Sequence, residues 1–127
     1  MGREYEAEVL GRCIVVIPAL CPDPEVTDYV SALLEKGFRQ VVVVDDGSGP
    51  TCAATFLKLE HMPGCTVLRH EKNLGKGRAL KTAFAHILNC PLWEGSAVVT
   101  ADADGQHSVE DVCAVAAATT EEKRRLV

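Results

Sequence analysis

Apolar and polar positions alternate in blocks along this chain: short runs rich in β-branched residues give way, again and again, to stretches with helical spacing. The first run, Cys13 to Ile17, predicts a strand that ends at Pro18. Pro22-Asp23-Pro24 then supplies a turn, an N-cap and a first-turn proline. Val26, Tyr29, Val30, Leu33 and Leu34 follow in one apolar stripe, which Gly37 closes. Phe38 to Val44 predicts a second strand, and its consecutive valines, Val41 to Val44, are the pattern of a strand covered on both faces, as in a parallel sheet. A helix over Ala53 to Glu60, a strand over Cys65 to Arg69 and a helix from Gly77 to Asn89 come next. The last of these carries Leu80, Ala83, Phe84, Ile87 and Leu88 on its predicted core face and stops before Pro91. Ala97 to Ala101 reads as a fourth strand. Ser108 is the predicted N-cap of a closing helix with Asp111 at its third position and a stripe of Val109, Val112, Cys113 and Ala116.

This strand–helix alternation predicts an α/β fold, a three-layer α/β/α sandwich around a mainly parallel sheet with right-handed crossovers. The final Lys123-Arg124-Arg125-Leu126-Val127 reads as the start of a fifth strand, so the expected architecture is truncated at the C-terminus. Residues 1–12 form an N-terminal extension and residues 13–127 the domain. The extension holds three Glu and two Arg and lacks the apolar core of a signal peptide. Glu6 stands where a myristoylation signal has Ser or Thr.

Composition narrows the function classes. At 127 residues, 47% hydrophobic and 24% charged, the chain has the length and balance of one soluble domain. A net charge of −5 argues against a nucleic-acid surface, which needs a basic stripe, but not against a nucleotide whose charge a metal ion neutralises. No apolar run is long enough to span a bilayer. The six cysteines show no C-x-x-C and no paired His spacing, which disfavours a zinc site or a disulfide scaffold and places the chain in the reducing cytoplasm. Cys13, Cys65 and Cys113 lie in apolar runs and read as small buried hydrophobes.

Three polar segments carry the chemistry. Asp102-Ala103-Asp104-Gly105-Gln106-His107 follows the fourth strand, so its acids sit at a C-terminal strand edge, where open α/β sheets bind ligands. If the segment is extended, its alternate residues point the same way and Asp102, Asp104 and Gln106 converge on one centre, an oxygen set suited to Mg²⁺ or Mn²⁺; the alternative is an ordinary polar turn of acids and glycine. Asp45-Asp46-Gly47-Ser48 stands on the same rim, either as an acceptor for a nucleobase N–H or ribose hydroxyl, or as a turn with Gly47 at positive φ and Asp as backbone acceptor. Asn73-Leu74-Gly75-Lys76-Gly77-Arg78 opens a helix with two glycines, free amides and two cations, either as a cradle for a diphosphate or as a solvated helix entry with exposed Lys and Arg; it matches neither a Walker A loop nor G-x-G-x-x-G. Lys76 and Arg78 are its candidate diphosphate contacts. His61, His70 and His86 have no acid or Ser partner at an informative spacing and read as solvated or core residues, while His107 adjoins the acids.

Taken in order, Val15-Val16-Ile17-Pro18-Ala19, Val42-Val43-Val44-Asp45-Asp46-Gly47-Ser48, Asn73 to Lys81 and Asp102 to His107 resemble the family 2 glycosyltransferases, which have the GT-A fold. Within that family the chain looks most like the polyprenyl-phosphate (dolichol-phosphate-like) sugar transferases. The resemblance implies a UDP- or GDP-linked sugar donor, with Pro18 and Ala19 lining the nucleotide pocket, Asp46 at the base, Asp102 and Ala103 beside the ribose and diphosphate, and Asp104 and Gln106 on the metal. It further implies mostly inverting transfer to a polyprenyl phosphate or other glycan or lipid acceptor, at the inner face of the membrane if a C-terminal part associates with it. Two departures stand out. Leu20-Cys21-Pro22 replaces the aromatic and Asn that often follow the first-strand proline, and the acceptor half, with any catalytic base, is absent. The competing readings are a non-catalytic nucleotide-sugar and metal-binding module that works with a partner, and a nucleotidyltransferase, the latter disfavoured because no glycine-rich basic loop follows the first strand.

Overall fold

A computed structural model describes residues 7–104 and 107–125. A short helix α1 (Ala7–Leu10) leads into β1 (Cys13–Ala19), α2 (Val26–Glu35), β2 (Gln40–Asp46), α3 (Ala53–Glu60), β3 (Cys65–His70), α4 (Lys76–Leu88), β4 (Ala97–Thr100) and α5 (Val109–Arg125), with single 3₁₀ turns at Pro50–Cys52 and Pro91–Trp93. The four strands are all parallel, in the order β3-β2-β1-β4. The expected α/β sandwich is therefore present, with β1 and β2 at its centre.

Strict alternation builds the two layers of core. Val15, Ile17, Val41, Val43 and Val99 face α2, α3 and α5, where they meet Val30, Leu33, Phe56, Leu59, Val112 and Cys113. Ile14, Val16, Val42 and Val44 face the opposite way, onto Ala79, Ala83 and Ile87 of α4. All four valines of β2 are fully buried, as the run predicts. Handedness explains why α4 is, among the described α-helices, alone on its face. The β1→β2→β3 steps run one way along the sheet, the β3→β4 step runs back, and a right-handed crossover then needs the opposite side.

The strand ends differ from the sequence expectation in an informative way. β1 continues through Pro18 to Ala19, in register with Val44 and Asp45. The backbone of Val16 points to β4, since its carbonyl accepts from the Ala101 N–H at 3.0 Å. Pro18 has the same parity, and the β1–β4 pairing has already ended at Val16↔Thr100. The donor that proline lacks would therefore point into the gap between β1 and β4, where no ladder bond is lost.

Helix faces also shift. α4 buries Ala79, Ala83 and Ile87, whereas Phe84 and Leu88, expected in its core stripe, are 38% and 84% exposed. Both line an open apolar groove of about 850 Å³ with Trp93 and Val98, at the end of the sheet remote from the acids. Ser108 caps α5, its Oγ accepting from the Asp111 N–H at 3.0 Å. The expected fifth strand is not formed by Lys123 to Arg125, which continue α5; Leu126 and Val127 lie outside the described residues. A run of helix formers (Glu121, Glu122, Lys123, Arg124, Arg125) prolongs a capped helix at little cost. Leu10 is fully buried, and Cys13 Sγ donates to the Val9 carbonyl at 3.5 Å, so the chain joins the core before β1 begins. None of the six cysteines is in a disulfide; Cys13 and Cys113 are buried, while Cys65 is only half-buried.

Candidate functional site

The order β3-β2-β1-β4 reverses direction at β1, and the C-terminal ends of β1 and β4 diverge there, leaving a crevice of the kind that binds ligands in doubly wound sheets. A cleft of about 300 Å³ occupies it, lined by Pro18 and Ala19 at the end of β1 and Leu20 just after it, Asp46 at the end of β2, Asn73 and Gly75 before α4 with Lys76 at its start, and Asp102 after β4. Five candidates taken from four separate stretches of sequence thus line one cavity: Pro18, Ala19, Asp46, Lys76 and Asp102. Ala103 and Asp104 continue the turn beyond Asp102, Asp104 exposed. Arg78 is exposed and does not line the cleft. Gln106 lies outside the described residues.

The Asp45-Asp46-Gly47-Ser48 turn is built as a tight junction. Asp45 Oδ1 accepts from the Ser48 N–H at 2.9 Å, an Asx-type closure. Gly47 has φ of 75° and packs so tightly that a Cβ would lie 2.4 Å from the Lys72–Asn73 backbone. Ser48 Oγ in turn accepts from the Cys21 N–H at 2.9 Å, tying this turn to the loop after β1. The glycine that the turn reading singles out is thus needed both for its φ and for a close approach of two loops.

Asp46 is buried and heavily bonded. Its Oδ1 lies 2.8 Å from His70 Nδ1 and accepts from the Leu74 N–H at 2.9 Å, while Oδ2 accepts from the Gly75 N–H at 3.0 Å. Burial favours the neutral acid, but the bonds from His70, Leu74 and Gly75 outweigh it and hold the carboxyl below its ordinary value. Three of a carboxylate's roughly four lone-pair positions are taken, and the fourth, on Oδ2, belongs to a residue that lines the cleft. Two expectations change here. The amides of Leu74 and Gly75 are not free to cradle a phosphate, because Asp46 already occupies them. His70 is neither solvated nor a bystander in the core: its Nε2 lies 2.8 Å from Thr82 Oγ1.

Across the cleft, Lys76 Nζ donates to Asp102 Oδ1 at 2.8 Å. The bond and the nearby charge raise Lys76 above its ordinary value, Asp104 adding to the effect. The same bond, against partial desolvation, lowers Asp102. On the outer side Tyr29 donates from its hydroxyl to the His107 carbonyl at 2.6 Å, anchoring the acidic turn to α2. Burial first, then the charges of Asp102, Asp111 and Asp104, raise the Tyr29 phenol.

The donor set at this rim fits a hard divalent cation. Asp102 and Asp104 supply carboxylate oxygens, with neither thiolate nor imidazole between them. Among the described residues, no three His, Cys, Asp or Glu side chains gather into a ready-made cage. An ion that keeps several waters and takes its remaining ligands from substrate phosphates suits such a sparse set.

The family model described as glycosyl transferase family 2 matches residues 14–127. The chain belongs to that family. Relatives include an uncharacterized protein of Methanocaldococcus jannaschii, 36% identical over 98 residues, covering 77% of this chain and 37% of that protein. Another is the UDP-N-acetylglucosamine–dolichyl-phosphate N-acetylglucosaminyltransferase of Methanococcus voltae, 27% identical over 116 residues, covering 80% of this chain and 44% of that enzyme. The chain thus spans less than half the length of these curated relatives. Tyr29, His70 and Thr82 are the site residues that sequence reasoning missed. His70 ends β3 as Asp46 ends β2, and the β2–β3 register sets the two side by side, which the local spacing of neither segment encodes.

Proposed function

We propose that the cleft binds the nucleoside diphosphate of a sugar donor, and that the chain is the donor-binding part of a glycosyltransferase using a divalent cation and a polyprenyl-phosphate or other glycan or lipid acceptor. The observation that carries this reading is the convergence of Pro18, Ala19, Asp46, Lys76 and Asp102 on one cleft at the β1/β4 switch point. Membership of the family supports glycosyl transfer, and the Methanococcus voltae enzyme, whose name specifies UDP-N-acetylglucosamine and dolichyl phosphate, supports the donor and acceptor classes.

Each residue has a physical task in this reading. Pro18 and Ala19 give the nucleotide a rigid apolar wall. Asp46 offers its remaining Oδ2 position to a nucleobase N–H. Lys76, already drawn over the cleft by Asp102, supplies positive charge to the diphosphate end. Asp104 and Gln106 would hold the cation, which when bound would stabilise the charge that develops on the departing nucleoside diphosphate, with Asp102 beside the ribose and diphosphate. Ala103 lies beside the ribose. An ionised lipid phosphate attacks without a general base, so this half of the site needs none. Residues 13–127 act as the donor unit, working at the cytoplasmic membrane face where a lipid acceptor is met; among the described residues no helix is long and apolar enough to cross the bilayer.

The assignment of Asp104 is tested by titrating UDP- and GDP-sugars into Asp104→Ala with Mn²⁺ present. Loss of the manganese-dependent part of binding is expected, and an affinity equal to wild type would remove Asp104 from the metal site.

A further inference from the structure

Asp46 cannot serve a nucleobase unless something fixes which of its lone pairs faces the cleft. The strand register supplies the means. Asp46↔His70 is the last pair of the β2–β3 ladder. Both residues continue the parity of Val44 and Leu68, which face α4. The two side chains are therefore held under that helix, at its N-terminal end, and almost shielded from water, with 6% and 8% of their side-chain surface exposed. His70 bridges them to α4: Nδ1 lies 2.8 Å from Asp46 Oδ1 and Nε2 lies 2.8 Å from Thr82 Oγ1, which donates to the Arg78 carbonyl at 3.0 Å. An ionised Asp46 can only accept, which assigns the Nδ1 proton to the imidazole.

We propose that His70 is a positioning residue of the donor pocket: braced by Thr82, it locks the Asp46 carboxylate in the orientation that receives the nucleobase and, through the Leu74 and Gly75 amides, sets the start of α4 and Lys76 at the diphosphate end. The inference rests on the donor-binding reading above. It makes the two ends of the pocket one mechanical unit, so that disturbing His70 weakens nucleotide binding without removing any group that touches the ligand.

Two isosteric substitutions separate this role from general core packing. Asparagine places its side-chain N–H₂ where Nδ1 stands and keeps the bond to Asp46; glutamine reaches Thr82 and loses Asp46. The probes are UDP and GDP, titrated calorimetrically in EDTA into the wild-type chain, His70→Asn, His70→Gln and Thr82→Val, each with its thermal midpoint recorded. For whichever nucleotide the wild type binds, His70→Gln is expected to weaken binding by about tenfold or more and His70→Asn by no more than about threefold, while melting alike. Thr82→Val is expected to fall between them. Equal affinities in both His70 variants, whether retained or lost, overturn the proposal. If neither His70 variant folds, wild-type affinity in Thr82→Val overturns it. Failure of the underlying reading looks different: a folded wild-type chain that binds neither nucleotide in EDTA or with Mn²⁺ restored, or an Asp46→Ala chain that binds as well as wild type, removes the donor pocket itself.

Discussion

Asp46 shows how much one side chain decides here. A carboxylate that accepts from His70, Leu74 and Gly75 joins β2, β3 and the start of α4 while keeping one position for a ligand. Because its folded value is held below the ordinary carboxylate value of about 3.9, it stabilises the fold fully above that pH, and this contribution is lost as pH falls through the lowered folded value. Asp46→Asn is therefore expected to flatten the acid limb of a stability–pH curve measured by urea denaturation, with little change in its shape above pH 5. Gly47→Ala is a harsher change. It forces a side chain to φ of 75° and into the Lys72–Asn73 backbone, so a loss of more than about 1 kcal/mol is expected from the same denaturation experiment. Sequence alone distinguished these residues by type and place, and it offered both roles for the acids, ligand acceptor and turn closure. The structure divides them: Asp45 closes the turn, and Asp46 braces a loop. That division depends on which residues lie opposite in the β2–β3 register, a long-range fact that no local spacing encodes, and ending β3 at Arg69 hid His70 from view.

Elements were legible wherever periodicity was strong. The valine run of β2, the α2 stripe and the Ser108 cap all follow from local rules, and the structure contains each of them. α4 was legible as a helix but not in its rotation. Its close packing on β1 and β2 selects the small Ala79 and Ala83, and it turns the larger Phe84 and Leu88 outward to the groove. Hydrophobic spacing permits either setting, and only the fit against Val16, Val42 and Val44 chooses between them. Ile87→Ala is accordingly expected to cost about 2–4 kcal/mol, whereas Leu88→Ala, five residues from the well-packed Ala83 and largely in solvent, is expected to stay within about 0.5 kcal/mol. Equal costs in thermal or chemical denaturation would contradict this rotation of the helix.

At the scale of the whole molecule, topology turns scattered motifs into a site. Four parallel strands in the order β3-β2-β1-β4 direct every strand end to one rim, and the reversal at β1 opens the cleft between Pro18 and Asp102. Alternation along the chain was enough to predict the parallel sheet, and family resemblance the residues at its rim. What it left unseen is the internal bonding of that rim: Lys76 held by Asp102, Tyr29 anchoring the His107 carbonyl, and the amides of Leu74 and Gly75 already spoken for. In the donor-binding reading proposed above, these bonds would leave the cation, with Lys76, as the main neutraliser of the diphosphate charge. The most direct test is calorimetric titration of UDP- and GDP-sugars into the wild-type chain, first with Mn²⁺ and then with EDTA. The account predicts saturable binding of one nucleotide class that weakens at least about tenfold when the metal is removed. Affinity that EDTA leaves unchanged, or no binding by a chain shown to be folded, would contradict it.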